Sequence, residues 1–84
     1  MHVTIAAERG TYLLVACENR FTVLERRNGR LYNCHDEKRE GIPLERFSSI
    51  SEIVDDGDWV DEPNAQAAFD EAAARWTDLA EHMR

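Results

Sequence analysis

Eighty-four residues, 43% hydrophobic and 32% charged with a formal net charge of −7, describe a single small globular domain (1–84) rather than a disordered chain. A chain this short buries about 60–65% of its unfolded surface, enough for one core but not for a deep catalytic cleft. The acidity argues against direct nucleic-acid binding, which needs a basic face to release counterions. No apolar run approaches the ~18 residues of a membrane span, and a start carrying His2 and Glu8 lacks a basic segment followed by an apolar one, so a cytoplasmic protein is expected.

Residues 1–36 predict an antiparallel β-meander. Val3, Ile5 and Ala7 alternate with their neighbours at period two, and Glu8-Arg9-Gly10 ends that strand. Thr11 to Cys17 is the second strand, closed by Glu18-Asn19-Arg20, and Phe21 to Arg27 is the third. Asn28-Gly29 is the strongest turn signal, because a type I′ hairpin needs positive φ at both central residues. Arg30 to His35 returns as the fourth strand.

A two-residue turn at Asn28-Gly29 sets Arg27 against Arg30, Glu25 against Tyr32 and Val23 against Cys34. Three-residue loops at Glu18-Asn19-Arg20 and Glu8-Arg9-Gly10 would set Val15 against Val23 and Ile5 against Leu13. One apolar face then collects Val3, Ile5, Leu13, Val15, Cys17, Phe21, Val23, Tyr32 and Cys34. In that register Cys17 and Cys34 lie two strands apart, roughly 10 Å, beyond disulfide reach, so two free thiols are expected.

Residues 37–47 read as a polar loop in which Ile42-Pro43-Leu44 would add a short edge strand, where proline is tolerated. Ser49 with Glu52 three positions on suggests a capping box opening a short helix over 49–55, with Ile50, Ile53 and Val54 as its apolar side and Gly57 as its stop. Pro63 then suits the first turn of a long helix over 63–83, with Asp61 or Glu62 at its positive end. Ala65, Ala68, Phe69, Ala72, Ala73, Trp76, Leu79, Ala80 and Met83 recur every three or four residues as one apolar stripe, opposite Gln66, Asp70, Glu71, Asp78 and Glu81. The fold class is therefore α+β: a four-stranded antiparallel meander packed by a long C-terminal helix, plus one short helix.

Catalytic and metal chemistry find little footing. Cys34, His35 and Asp36 are consecutive on a predicted strand, so neighbours point to opposite faces and cannot form a nucleophile–base pair. The cysteines and His2, His35 and His82 show no metal-ligand spacing. Around Asp55-Asp56-Gly57-Asp58 an EF-hand register would place Val54 and Pro63 at ligand positions, where neither supplies a side-chain oxygen. No enzyme activity, cofactor or metal is expected.

Charge is the informative feature. Residues 1–46 balance at +1 and residues 47–84 at −8, and between Phe47 and Ala74 the carboxylates Glu52, Asp55, Asp56, Asp58, Asp61, Glu62, Asp70 and Glu71 meet no Lys, Arg or His. Such a block either keeps a small protein soluble or forms a surface for a cationic partner. Trp59, inside the block, would anchor an interface or fold back onto the core. Arg26, Arg27 and Arg30 form a small basic patch at the hairpin tip. The second sheet face, with Tyr12, Leu14, Leu24 and Leu31, would mark a homodimer or partner contact if no helix covers it.

The acidic run Glu52 to Glu62 and the helix Pro63 to Met83, on a four-stranded α+β body, resemble the small anti-CRISPR proteins of phages and mobile elements that occlude type I surveillance complexes. The likeness is one of size, charge and layout, without a family motif. It implies a protein that covers the basic channel where target DNA enters, imitating the charges of a nucleic-acid backbone, with Glu52, Asp55, Asp56, Asp58, Trp59, Asp61, Glu62, Asp70 and Glu71 at the contact. The rival expectation is an accessory or antitoxin-like subunit whose acids serve solubility.

Overall fold

A computed structural model describes residues 2–34 and 39–82, the stretch 76–82 in backbone only. The chain is α+β, with strands β1 (Val3–Arg9), β2 (Tyr12–Cys17), β3 (Arg20–Arg27), β4 (Arg30–Asn33) and β5 (Ile42–Pro43), two 3₁₀ segments (Leu44–Glu52 and Asp56–Asp58) and one helix, α1 (Glu62–His82). The strands form one antiparallel meander in the order β1-β2-β3-β4-β5, so the sheet has five strands rather than four. The fifth is the short edge strand carrying Pro43, which pairs with Arg30 while Ile42 pairs with Leu31.

The Asn28-Gly29 hairpin has the expected geometry. Asn28 (φ 51°) and Gly29 (φ 76°) are both left-handed, and Arg27 faces Arg30 while Glu25 faces Tyr32. The Cys34 N–H reaches the Val23 carbonyl at 3.4 Å, continuing that register past the end of β4.

The other two hairpins differ from expectation. Cys17 faces Arg20 and Leu14 faces Val23, and Arg9 faces Tyr12. Both loops are therefore two-residue turns, Gly10-Thr11 and Glu18-Asn19, with a left-handed first residue in each: Gly10 at φ 58° and Glu18 at φ 57°. Glu8, Arg9 and Arg20 belong to the strands, not to the turns. Between β2 and β3 the one-residue shift separates Val15 from Val23 and dissolves the single apolar face expected from the sequence, while in β1 Ile5 meets Val15 instead of Leu13. The physical reason is that both faces are buried: Leu13, Leu14 and Val15 are consecutive and buried, as are Thr22, Val23 and Leu24, so alternation carries no register information in these strands. A bulge between Ile5 and Ala7 lets β1 place Val3 against one core and Ala7 against the other.

The sheet is thus the shared wall of two cores. On one side Leu13, Val15, Leu24, Leu31 and Ile42 pack with Ile50, Ile53 and Val54 of the 3₁₀ layer. On the other Leu14 and Val23 pack with Ala65 and Phe69 of α1. The residues expected to share a second face, and to mark a contact if no helix covered it, are divided between the two sides and covered on both: Leu24 and Leu31 are fully buried under the 3₁₀ layer, and Leu14 and Tyr12 lie on the helix side. The exposed apolar patch on which the homodimer expectation rested is absent among the described residues.

The short helix expected over 49–55 is a 3₁₀ segment beginning at Leu44, irregular at Arg46 and Ser49, with no side-chain cap at its start. Ser49 does not open a helix; it lies inside the segment with φ −105° and ψ 25°. Helix α1 agrees with its predicted span. Ala65, Phe69, Ala72 and Ala73 are buried, and Asp70 and Glu71 are exposed. The predicted stripe positions Trp76, Leu79, Ala80 and Met83, and the loop positions His35 to Lys38, lie outside the residues whose side chains are described. Both described cysteines are free; the alternation along β2 puts Cys17 on the side of Leu13 and Val15, whereas Cys34 packs with Val23 on the helix side.

The chain changes sides of the sheet at Val60. Strand β4 is short, so the first half of β3 is left without a partner on that edge. Val60 takes the place: the Phe21 N–H donates to the Val60 carbonyl (2.8 Å) and the Val60 N–H to the Phe21 carbonyl (2.9 Å). The residues before it cover one face and α1 covers the other.

Candidate partner-binding surface

The acidic segment is built around a buried amide. Asn33, 2% exposed at the end of β4, donates from Nδ2 to the Ile53 carbonyl (2.8 Å) and to Asp58 Oδ2 (2.8 Å). The same carboxylate oxygen accepts the Asp55 N–H (2.9 Å). Asp58 therefore closes the Asp56–Asp58 turn and ties it to the sheet; the capping box of this region is here and not at Ser49 and Glu52. Trp59, the next residue, is half-buried and packs against the first core.

Asp61 caps the helix. Its Oδ1 accepts the Asn64 N–H (3.3 Å) and its carbonyl accepts the Ala65 N–H (3.0 Å). With Glu62 in the first turn, two carboxylates stand at the positive end of α1.

Three other candidates meet cations from elsewhere in the chain. Asp55 receives Arg39 in a two-pronged contact (3.0 and 2.7 Å), and this hydrogen-bonded guanidinium holds its carboxyl below the usual range. Glu52 pairs with Arg46 (2.7 Å). Asp70 pairs with Arg9 (3.3 Å) and accepts from Gln66 (3.0 Å), while the Arg9 guanidinium also lies over the Phe69 ring at 5.7 Å. The unbalanced stretch of sequence is thus partly balanced in space. The patch at the hairpin tip is likewise internal: Arg26 pairs with Glu8 and Arg27 with Glu25.

The nine predicted contact residues therefore divide. Asp58 and Trp59 are architectural; Glu52, Asp55 and Asp70 are exposed but paired; Asp56, Asp61, Glu62 and Glu71 are exposed and meet no basic side chain among the described residues. The last four lie along the 3₁₀ turn, the helix cap and the first turns of α1. No group of three or more potential metal ligands occurs among the described residues, and no helix among them is long and apolar enough to cross a membrane. The Cys34 thiol is pushed up to about 12 chiefly by burial and then by nearby Glu25, which leaves it protonated; His35 and Asp36 lie outside the described residues.

No protein-family model, curated protein or solved structure matches the chain at a significant level.

Proposed function

We propose that this protein is a non-catalytic binding module that covers a basic, nucleic-acid-binding surface of a protein partner, with Asp56, Asp61, Glu62 and Glu71 making the first electrostatic contact. The observation that carries the reading is that these four carboxylates are exposed and unmatched by any described basic side chain, in a chain of net charge −7. The pairs made by Glu52, Asp55 and Asp70 do not remove them from use. Exposed ion pairs are weak because water screens them, so a partner's arginine or lysine can replace Arg46, Arg39 or Arg9 at small cost. A field of this sign raises the encounter rate with a cationic surface, and short-range contacts set the release rate.

The resemblance to anti-CRISPR proteins makes the DNA channel of a type I surveillance complex the first surface to try. The rival reading, an accessory subunit held by apolar contact, finds little support in the surface: Ile5, at 47% exposure, is the large hydrophobic exposed among the described residues.

The test is competition with target DNA for a purified surveillance complex. The triple variant Asp56→Lys, Glu62→Lys and Glu71→Lys leaves the Asp58 clamp and the Asp61 cap intact. Its inhibition should fall at least tenfold, and wild-type inhibition should weaken steeply as ionic strength rises from about 0.05 to 0.3 M, because the Debye length shrinks from roughly 14 to 6 Å. Unchanged inhibition by the folded triple variant would discard the electrostatic reading.

A further inference from the structure

The helix side of the sheet contains a hollow that the acidic surface does not use. Phe69 fills the space above Leu14 and Val23. One turn later the small Ala72 and, beyond it, Arg75 are the described α1 residues that line a cavity of about 540 Å³. Its floor is a cross-strand row in which Tyr12 faces Glu25 and Glu25 faces Tyr32, with Cys34 beside it and Arg75 of α1 at its rim. The size suits a single-ring to drug-sized molecule.

The lining is already organised. Glu25 pairs with Arg27, whose guanidinium stacks over the Tyr32 ring at 4.2 Å. The Tyr12 hydroxyl donates to Glu25 from the other side, and burial followed by that bond raises its pKa. Cys34 contributes a neutral thiol. Two guanidiniums, Arg27 and Arg75, therefore oppose one carboxylate in the cavity, and Arg75 pairs with no carboxylate among the described residues. A locally cationic, aromatic-lined hollow in an acidic chain selects a ligand with a planar apolar body and one negative charge.

We infer that the cavity between Ala72 and the Tyr12–Glu25–Tyr32 row is a binding site for a small aromatic carboxylate, its ring over the tyrosine row and its carboxylate on Arg75. The site is separate from the acidic surface, so its test uses the isolated protein and is indifferent to any macromolecular partner.

The experiment titrates ¹⁵N-labelled protein with 4-hydroxybenzoate, using acetate and 4-hydroxybenzyl alcohol as probes lacking the ring or the charge. The expected result is a saturable shift of the Tyr12, Glu25, Tyr32 and Cys34 amides with 4-hydroxybenzoate alone. Arg75→Gln, at an exposed helix position, should weaken binding about tenfold through loss of a charge-assisted hydrogen bond. Ala72→Leu should abolish it by filling the hollow, with the melting curve confirming the fold. Absence of saturable shifts up to about 10 mM, an equal response to acetate or the alcohol, or full binding by both variants would each overturn the assignment.

Discussion

Asn33 is the residue on which the acidic segment hangs. A fully buried amide that donates to a carbonyl and a carboxylate replaces the water both acceptors would otherwise need. Removing it leaves the Ile53 carbonyl and Asp58 short of a donor, and desolvated acceptors of this kind cost about 1–3 kcal/mol each. Asn33→Ala should therefore lower unfolding stability by about 2–3 kcal/mol in urea titrations, and amide exchange should accelerate from Asp55 to Trp59; unaltered exchange there would show that Asn33 does not position the turn. Cys34 makes a second prediction at the same scale. Its folded pKa of about 12 lies above its ordinary value of 9.0, so the unfolded chain releases that proton first. The thiol's contribution is intact below pH 9 and is lost as pH rises toward 12. Native protein at pH 9 should resist alkylation at Cys34 and react there once unfolded in urea, as peptide mass spectrometry would reveal.

Among the elements, the junction between β4 and β5 tolerates least. Gly41 is buried, and a Cβ added there would sit 2.6 Å from the Leu31 carbonyl oxygen and 2.7 Å from the Tyr32 ring. The oxygen belongs to a hydrogen-bonded strand and cannot step aside, so Gly41→Ala should destabilise the fold by about 1–3 kcal/mol, measurable as a lowered melting temperature. Elements also differ in how openly the sequence announces them. The β3–β4 register follows from Asn28-Gly29 because the turn type dictates its residues. The α1 span follows from a stripe repeated over several turns. The β1–β2 and β2–β3 registers were not legible, because Arg9 and Arg20 are as polar as turn residues and because strands buried on both faces lose the alternation that would have corrected the choice. The 3₁₀ layer was legible as apolar positions, Ile50, Ile53 and Val54, but not as a conformation.

At the scale of the molecule, the excess of negative charge was plain in the sequence, while its disposition was not. Arg9, Arg39 and Arg46 are separated from their acids by 61, 16 and 6 positions, and no local pattern links a strand end to a helix face. The role of Asp58 was equally hidden, since its partner Asn33 lies 25 residues away. What the fold adds to composition is a sorting of one acidic run into structural, paired and available carboxylates.

The brevity of β4 shapes everything downstream of it. Were that strand three residues longer in the same register, it would reach Phe21 and claim the edge of β3 that now receives Val60, and the polypeptide would lose its route around the sheet's margin. The helix would then have no anchored point of departure toward its own side. A strand that stops short of Phe21 is thus a requirement imposed by the rest of the architecture, and lengthening it past that point is the insertion the scaffold is least equipped to absorb.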